Sequence, residues 1–92
     1  MADPIGRKVR VYGRVQGVFF RQWTVERARA LGVTGWVHNA GDGAVEAHLT
    51  GDEPAVAQLI EHVRRGPPQA RVEDVTVEPI PPEPVEGFAV RL

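Results

Sequence analysis

The chain has 92 residues, a formal net charge of −1 and no cysteine. This length predicts a single domain over residues 1–92, and the nearly neutral charge argues against a general attraction to nucleic acid or to anionic membranes. The lack of cysteine excludes disulfides, thiolate metal sites and thiol nucleophiles. Because no secretory segment and no apolar run of membrane length is present, we expect a cytoplasmic protein.

The polar residues show a compositional bias. Lys8 is the only lysine among 11 basic residues, Asn39 is the only asparagine, and the chain contains 8 prolines. Because asparagine is thermolabile and proline in loops lowers the entropy of the unfolded chain, this composition is typical of a heat-adapted protein. A genome rich in G and C would produce a similar excess of arginine, so both explanations stay open.

The first half of the chain predicts three strands and one helix. Residues 1–6 show no periodicity, so we expect a loosely held start. Alternating apolar residues indicate strands, and an apolar stripe at helical spacing that stops at Gly32 indicates a helix. Asp42-Gly43 predicts a tight hairpin. The predicted elements are strand one at Lys8–Tyr12, helix one at Phe20–Leu31, strand two at Thr34–Asn39 and strand three at Ala44–Thr50.

The second half begins with the clearest helix signal in the sequence. Asp52 or Glu53 can cap this helix, Pro54 suits its first turn, and Gly66 ends it. Apolar residues recur at i, i+3, i+4 and i+7 over 56–63, which predicts one buried face. The elements expected after the helix are strand four at Arg71–Glu78, a stiff connector at Pro79–Pro84 and a last short strand at Phe88–Leu92.

The order of the elements is β-α-β-β-α-β with a final short strand. This order predicts an α+β, ferredoxin-like sandwich, in which two helices cover one face of a mostly antiparallel sheet, with the short C-terminal strand added. Apolar and polar residues alternate along the strands, as expected when one face of the sheet is packed and the other is solvated. In strand three, Glu46, His48 and Thr50 are expected on the solvated face.

The segment between strand one and helix one, Gly13–Arg21, has the features of an anion site. A glycine-bounded loop that leads into a helix offers backbone N–H groups and the positive end of the helix dipole. Arg21 lies in the first helical turn, where the dipole disfavours a cation, so it reads as a ligand for an anion such as phosphate. The loop matches neither the P-loop nor the dinucleotide fingerprint. A plain strand-to-helix turn would explain its glycines equally well.

The topology brings a second polar residue to this loop. Strands one and two are expected to run parallel and to end at the same edge of the sheet, so Asn39 and the Arg21 loop converge. A neutral amide there can hydrogen-bond water without competing for charge with an anion. An ordinary turn-entry asparagine is the alternative, and from the residues alone it is favoured. No metal-ligand spacing or serine nucleophile is found, and we expect surface positions for His38, His48 and His62.

Together, the stretches Gly13–Arg21, Gly35–Asn39 and Asp42-Gly43 resemble the acylphosphatase family, and the resemblance extends from strand one to the terminal strand. It implies hydrolysis of acyl phosphates to a carboxylate and inorganic phosphate, without a metal or another cofactor. The length matches a free-standing member better than a module of a larger hydrogenase maturation protein. We expect a monomer that binds this small-molecule substrate, with no nucleic acid or membrane partner.

The resemblance also implies roles for individual residues. Arg21 would bind the phosphate and Asn39 would position the attacking water. The chain departs from some members at Ala40, because they carry a hydroxyl residue directly after the asparagine. The remaining phosphate ligands implied are the backbone N–H groups of Val15, Gln16, Gly17, Val18, Phe19 and Phe20.

Two other functions stay open from the sequence. A non-catalytic regulatory module could bind a small anion at the Arg21 loop and would differ from the enzyme only in turnover. An RNA-binding module of the same topology stacks bases on aromatic residues of the central strands. Strand three has no aromatic residue and would place Glu46 on the open face, which argues against RNA.

Overall fold

The computed structural model describes residues 3–91 and contains five strands and two helices. In chain order the elements are β1 at Ile5–Arg14, α1 at Phe20–Leu31, β2 at Thr34–Asn39, β3 at Val45–Gly51, α2 at Glu53–Arg65, β4 at Arg71–Ile80 and β5 at Phe88–Val90.

The strands form one sheet in the order β4-β1-β3-β2-β5, and the two helices pack on one of its faces. Pairing is antiparallel except between β2 and β5, which are parallel. The predicted ferredoxin-like α+β fold with a short C-terminal strand is therefore confirmed. Neither helix in the described part of the chain is long and apolar enough to cross a membrane.

The helices form where their local signals place them. Helix α1 has the predicted bounds and buries Phe20, Thr24 and Ala28 against the sheet, with Gly32 at its C-terminal cap. Asp52 occupies the N-cap position of α2, as predicted, although its side chain makes no capping hydrogen bond. The predicted apolar face of α2 is buried in full. It consists of Val56, Leu59, Ile60 and Val63.

Strand β1 is longer than predicted at both ends. The expectation of a loose start is wrong for Ile5 and Gly6, because they pair with β3 and β4; Met1 and Ala2 lie outside the described residues. At the other end, a register shift after Tyr12 lets Gly13 and Arg14 continue the pairing with β4. Gly13 therefore belongs to the sheet and not to the loop that follows it.

In the last third of the chain, strand pairing also continues beyond the predicted bounds. Strand β4 continues to Ile80, with Pro79 on an edge strand where a missing N–H is tolerated. Thr50 was expected on the solvated face but is buried, because the connector before β5 crosses it and the Glu83 N–H donates to its hydroxyl at 3.0 Å. Leu92, the predicted end of the last strand, lies outside the described residues.

The sheet topology fixes where a site can form. Strands β1 and β2 both run antiparallel to β3, so they are parallel to each other and end at the same edge. The β1–α1 loop and the last residue of β2 therefore meet at this edge, as the sequence predicts.

Candidate active site

The loop that joins β1 to α1 is held at its ends and exposed in its middle. The side chains of Val15 and Phe20 are buried in the core, whereas Gly17 and Phe19 are exposed. The φ angle is +75° at Gly17 and +66° at Phe19, and it is positive at no other residue of the loop. Alternation in the sign of φ turns successive N–H groups toward one side, as in backbone anion sites. The loop can therefore present several N–H groups to one anion.

Phe19 has a strained backbone conformation in this loop. Among residues 3–91 it is the only residue other than glycine with a positive φ, which costs on the order of 1–3 kcal/mol. Its side chain is 64% exposed, so packing in the core does not explain the conformation. Its carbonyl accepts a hydrogen bond from Trp23 in the first turn of α1. Strain of this kind at an exposed loop residue is typical of functional sites.

Arg21 lies in the first turn of α1, where it is half-buried. Within the described residues its guanidinium makes no hydrogen bond and no ion pair, and the first turn of α1 contains no acidic residue. The positive end of the helix dipole and the arginine charge are therefore both available to one anion.

A recess of about 320 Å³ opens beside this arginine. Its size lies in the range of small-molecule sites. Arg21 is the only charged residue in the lining. The lining residues are Val15, Gly17, Phe19, Phe20, Arg21, Gln22 and Val90.

Asn39 is the last residue of β2 and pairs with Val45 of β3. It lies on the helix-covered side of the sheet, because it alternates with His38 on the other side. Its Oδ1 atom is buried and has no hydrogen-bond partner in the described part of the chain. A buried carbonyl oxygen normally has a donor, so this atom is an acceptor still able to bind one. Asn39 does not line the recess itself.

The side chain of Gln16 connects the loop to the chain just after Asn39. Its amide nitrogen donates to the carbonyl of Ala40 at 2.9 Å and to the carbonyl of Ala44 at 3.0 Å. These two alanines are the first and last residues of the connection between β2 and β3. From the sequence, only the backbone N–H of Gln16 was expected to contribute to the site. The available signal was an amide side chain within a loop whose other members are glycine or apolar.

The connection after Asn39 is the tight hairpin that Asp42-Gly43 predicts. The N–H of Ala40 donates to the carbonyl of Ala44, and the N–H of Gly43 donates to the carbonyl of Ala40. Asp42 accepts a hydrogen bond from the N–H of Ala44. That hydrogen bond is the main reason that the pKa of Asp42 lies below its usual value. Desolvation acts in the opposite direction, and the charge of Arg10 lowers the pKa further.

Charged residues on the opposite face of the sheet form a separate cluster. Glu46 of β3 lies between Arg10 of β1 and His38 of β2 and hydrogen-bonds both, with Lys8 at 3.7 Å. Burial alone would raise the pKa of Glu46, but the hydrogen bonds from His38 and Arg10 outweigh it and hold the pKa below the ordinary value of 4.5. Arg10 also contacts Asp42 at 2.6 Å.

The histidines of the strands lie on this same outer face. His38 contacts Glu46, and the ring of His48 stacks on Trp36 with centroids 4.1 Å apart, so both surface histidines are half-buried. Within residues 3–91 no three His, Cys, Asp or Glu side chains come close enough to hold a metal ion.

Comparisons with known proteins agree with this architecture. The acylphosphatase family model matches residues 7–90. An acylphosphatase of Rubrobacter xylanophilus is 54% identical over 92% of this chain and 80% of its own length. One from Rhizorhabdus wittichii is 48% identical over 94% of this chain and 87% of its own. The structure of a Coxiella burnetii acylphosphatase superposes with a TM-score of 0.92 at 40% identity, over 97% of this chain and 94% of its own. The chain therefore belongs to the acylphosphatase family.

Proposed function

We propose that this protein hydrolyses acyl phosphates to a carboxylate and inorganic phosphate, without a metal ion. One observation supports this most. The β1–α1 loop and Arg21 lie at the same edge of the sheet as Asn39, and neither the Arg21 guanidinium nor the Asn39 Oδ1 has a partner among the described residues. An anion ligand and a neutral water ligand at the same edge of the sheet are the two groups that this reaction needs.

Arg21 binds the transferring phosphoryl group in this proposal. A guanidinium can donate two parallel hydrogen bonds to two phosphate oxygens, which fixes their orientation as well as their charge. The phosphate in turn offsets the unfavourable position of this cation at a helix N-terminus. The remaining oxygens accept hydrogen bonds from the backbone of the loop. Its donors are the N–H groups of Val15, Gln16, Gly17, Val18, Phe19 and Phe20.

Asn39 orients the attacking water. Its buried Oδ1 accepts a hydrogen bond from the water and holds it in line with the leaving oxygen. The leaving group is a carboxylate, which is stable without prior protonation, so no strong general acid is required. Phosphoryl transfer is mainly a matter of positioning and charge stabilisation. The phosphate itself can accept the proton of the water, so the site needs no basic side chain.

The test is hydrolysis of benzoyl phosphate by the purified protein in the presence of a chelator, with wild type beside Asn39→Ala. We expect rapid turnover by the wild type and loss of most of it in the variant, with inhibition by inorganic phosphate retained. Gln58→Ala, an exposed change on α2, is the matched control.

Three outcomes of this test would change the proposal. A wild type that binds inorganic phosphate without turnover would be a non-catalytic anion-binding module. Turnover that needs the chelated metal would remove the metal-independent mechanism. Loss of phosphate inhibition in Asn39→Ala would make Asn39 a binding residue instead of a water ligand.

A further inference from the structure

We propose that Gln16 is a positioning residue for the reaction and that it acts through its side-chain amide. By bonding to the chain just after Asn39, it fixes the distance between the bound phosphate and the attacking water. This inference rests on the proposed function. It adds a role for a side chain that neither binds substrate nor touches the water.

The hydrogen bonds of Gln16 span two separate elements. Strands β1 and β2 flank β3 and are not neighbours, so their ends lie about 10 Å apart, two interstrand spacings. The Gln16 amide donates to the carbonyls of Ala40 and Ala44, residues 24 and 28 positions away. Within residues 3–91, these are the only hydrogen bonds between the loop at 15–19 and the segment at 39–44.

The hairpin does not need these bonds in order to close. The carbonyl of Ala44 already accepts from the N–H of Ala40, and the carbonyl of Ala40 already accepts from the N–H of Gly43. Gln16 adds a second donor to each carbonyl. Its bonds therefore hold the β1–α1 loop against the hairpin more than they close the hairpin itself.

The composition of the hairpin explains why the link starts from the loop. Ala40 and Ala44 carry no polar side-chain atoms, so only their backbone groups can accept a bond from the loop. Gln16 also supplies one of the N–H groups proposed to bind phosphate. One residue thus bonds the phosphate through its backbone and the Asn39 turn through its side chain. Because a displacement of about 1 Å can lower a rate by about 10²-fold, a link this short can control turnover.

The experiment measures benzoyl phosphate hydrolysis, inhibition by inorganic phosphate and thermal unfolding for Gln16→Met, which keeps the length but removes both donors. We expect kcat to fall roughly 10- to 100-fold, while the phosphate inhibition constant changes by less than about 3-fold, since Arg21 and the loop N–H groups remain. Gln58→Met on the exposed face of α2 is the matched control and should leave all three quantities unchanged.

A double-mutant comparison tests whether Gln16 acts through Asn39. In the Asn39→Ala background the water is no longer held, so Gln16→Met should lower the residual rate by less than about 3-fold. An equal loss in both backgrounds would show that Gln16 acts on the phosphate loop alone and would overturn the proposal.

Gln16→Glu provides a signature that a purely structural role would not give. A carboxylate cannot donate to the two carbonyls, but a carboxylic acid can donate to one of them. The rate of Gln16→Glu relative to Gln16→Met should therefore rise as pH falls through the carboxyl pKa, and this ratio remains measurable if both variants lose stability.

The outcomes separate this inference from the proposed function. A wild type without turnover would overturn both. An active wild type whose kcat is matched within 2-fold by folded Gln16→Met, or a rate ratio of the Glu and Met variants that is flat with pH, would overturn the positioning role alone.

Discussion

In the proposed mechanism, Arg21 is prepared for an anion before the anion binds. It lines the recess, and no acidic side chain in the described part of the chain pairs with its guanidinium. An arginine on a protein surface commonly pairs with a nearby carboxylate. An unpaired arginine at the positive end of a helix is electrostatically unfavourable until a phosphate neutralises it.

Arg21→Lys should lower kcat/KM for benzoyl phosphate by about 10²-fold or more, because an ammonium cannot reproduce the two parallel hydrogen bonds of the guanidinium. The melting temperature should stay near that of the wild type, since Arg21 makes no hydrogen bond or ion pair with another described residue. Steady-state kinetics and thermal unfolding check the two halves of this prediction. Arg27→Lys on the same helix is the control, and near-normal activity of Arg21→Lys would remove this side chain from the mechanism.

The residues of the site differ in how far the sequence could predict them. Arg21 stands out because a cation is unusual at a helix N-terminus. Asn39 is an ordinary residue at the entry of a turn, so only the family motif singles it out. The side chain of Gln16 could not be assigned in this way. Its partners are backbone carbonyls 24 and 28 residues away, so their position depends on the assembled sheet and on one rotamer.

At the scale of elements, helices were easier to predict than strands. The bounds of α1 follow from local signals, namely its apolar spacing and Gly32. The ends of β1 depend on residues far along the chain, because Ile5 pairs with Gly51 and Gly13 pairs with Val72. No local pattern contains that information, and the strand was therefore predicted too short.

Gly13→Ala should destabilise the protein through this long-range pairing. A Cβ at Gly13 would lie 2.2 Å from the backbone oxygen of Arg71, at a φ of +124°. Strand β4 would have to move away from β1, so we expect a loss of about 2–4 kcal/mol in the free energy of unfolding. Urea unfolding measures it.

The control for this prediction is Gly32→Ala. Gly32 also has a positive φ, but a Cβ there would meet nothing within 4 Å. Gly32→Ala should therefore lower the free energy of unfolding only by the cost of a left-handed backbone at alanine, about 1–2 kcal/mol. Equal losses for the two variants would mean that the close approach of β4 does not constrain β1.

At the scale of the whole molecule, the sheet separates two charged regions. The edge near Arg21 carries the cation of the proposed site, which pairs with no carboxylate among residues 3–91. The outer face carries Glu46, which hydrogen-bonds Arg10 and His38 across three adjacent strands. The first region is the proposed anion site, whereas the charges of the second pair with one another.

Glu46→Gln should lower the free energy of unfolding at neutral pH by on the order of 1–3 kcal/mol, because it removes a charged acceptor from partly buried hydrogen bonds. The pKa of Glu46 is lower in the folded protein than its ordinary value of 4.5. Its stabilisation is therefore complete above pH 4.5 and is lost as pH falls through the folded pKa. The difference between wild type and variant should shrink below pH 4.5 in urea unfolding measured across pH.

Glu78→Gln is the control, since Glu78 is exposed on the edge strand β4. It should leave the unfolding free energy within about 0.5 kcal/mol of the wild type at each pH. A difference between wild type and Glu46→Gln that does not change with pH would contradict the ionic role of Glu46.

The central position of Glu46 also affects how strongly the outer face of the sheet attracts polyanions. Lys8 and Arg10 supply positive charge there, and Arg91 lies over the Trp36 ring. Modules of the same topology bind RNA on the corresponding face of their sheets. A carboxylate amid these cations lowers the positive potential of the face and repels a phosphodiester chain. The Glu46 carboxylate thus weakens the electrostatic attraction of this broad face for polyanions.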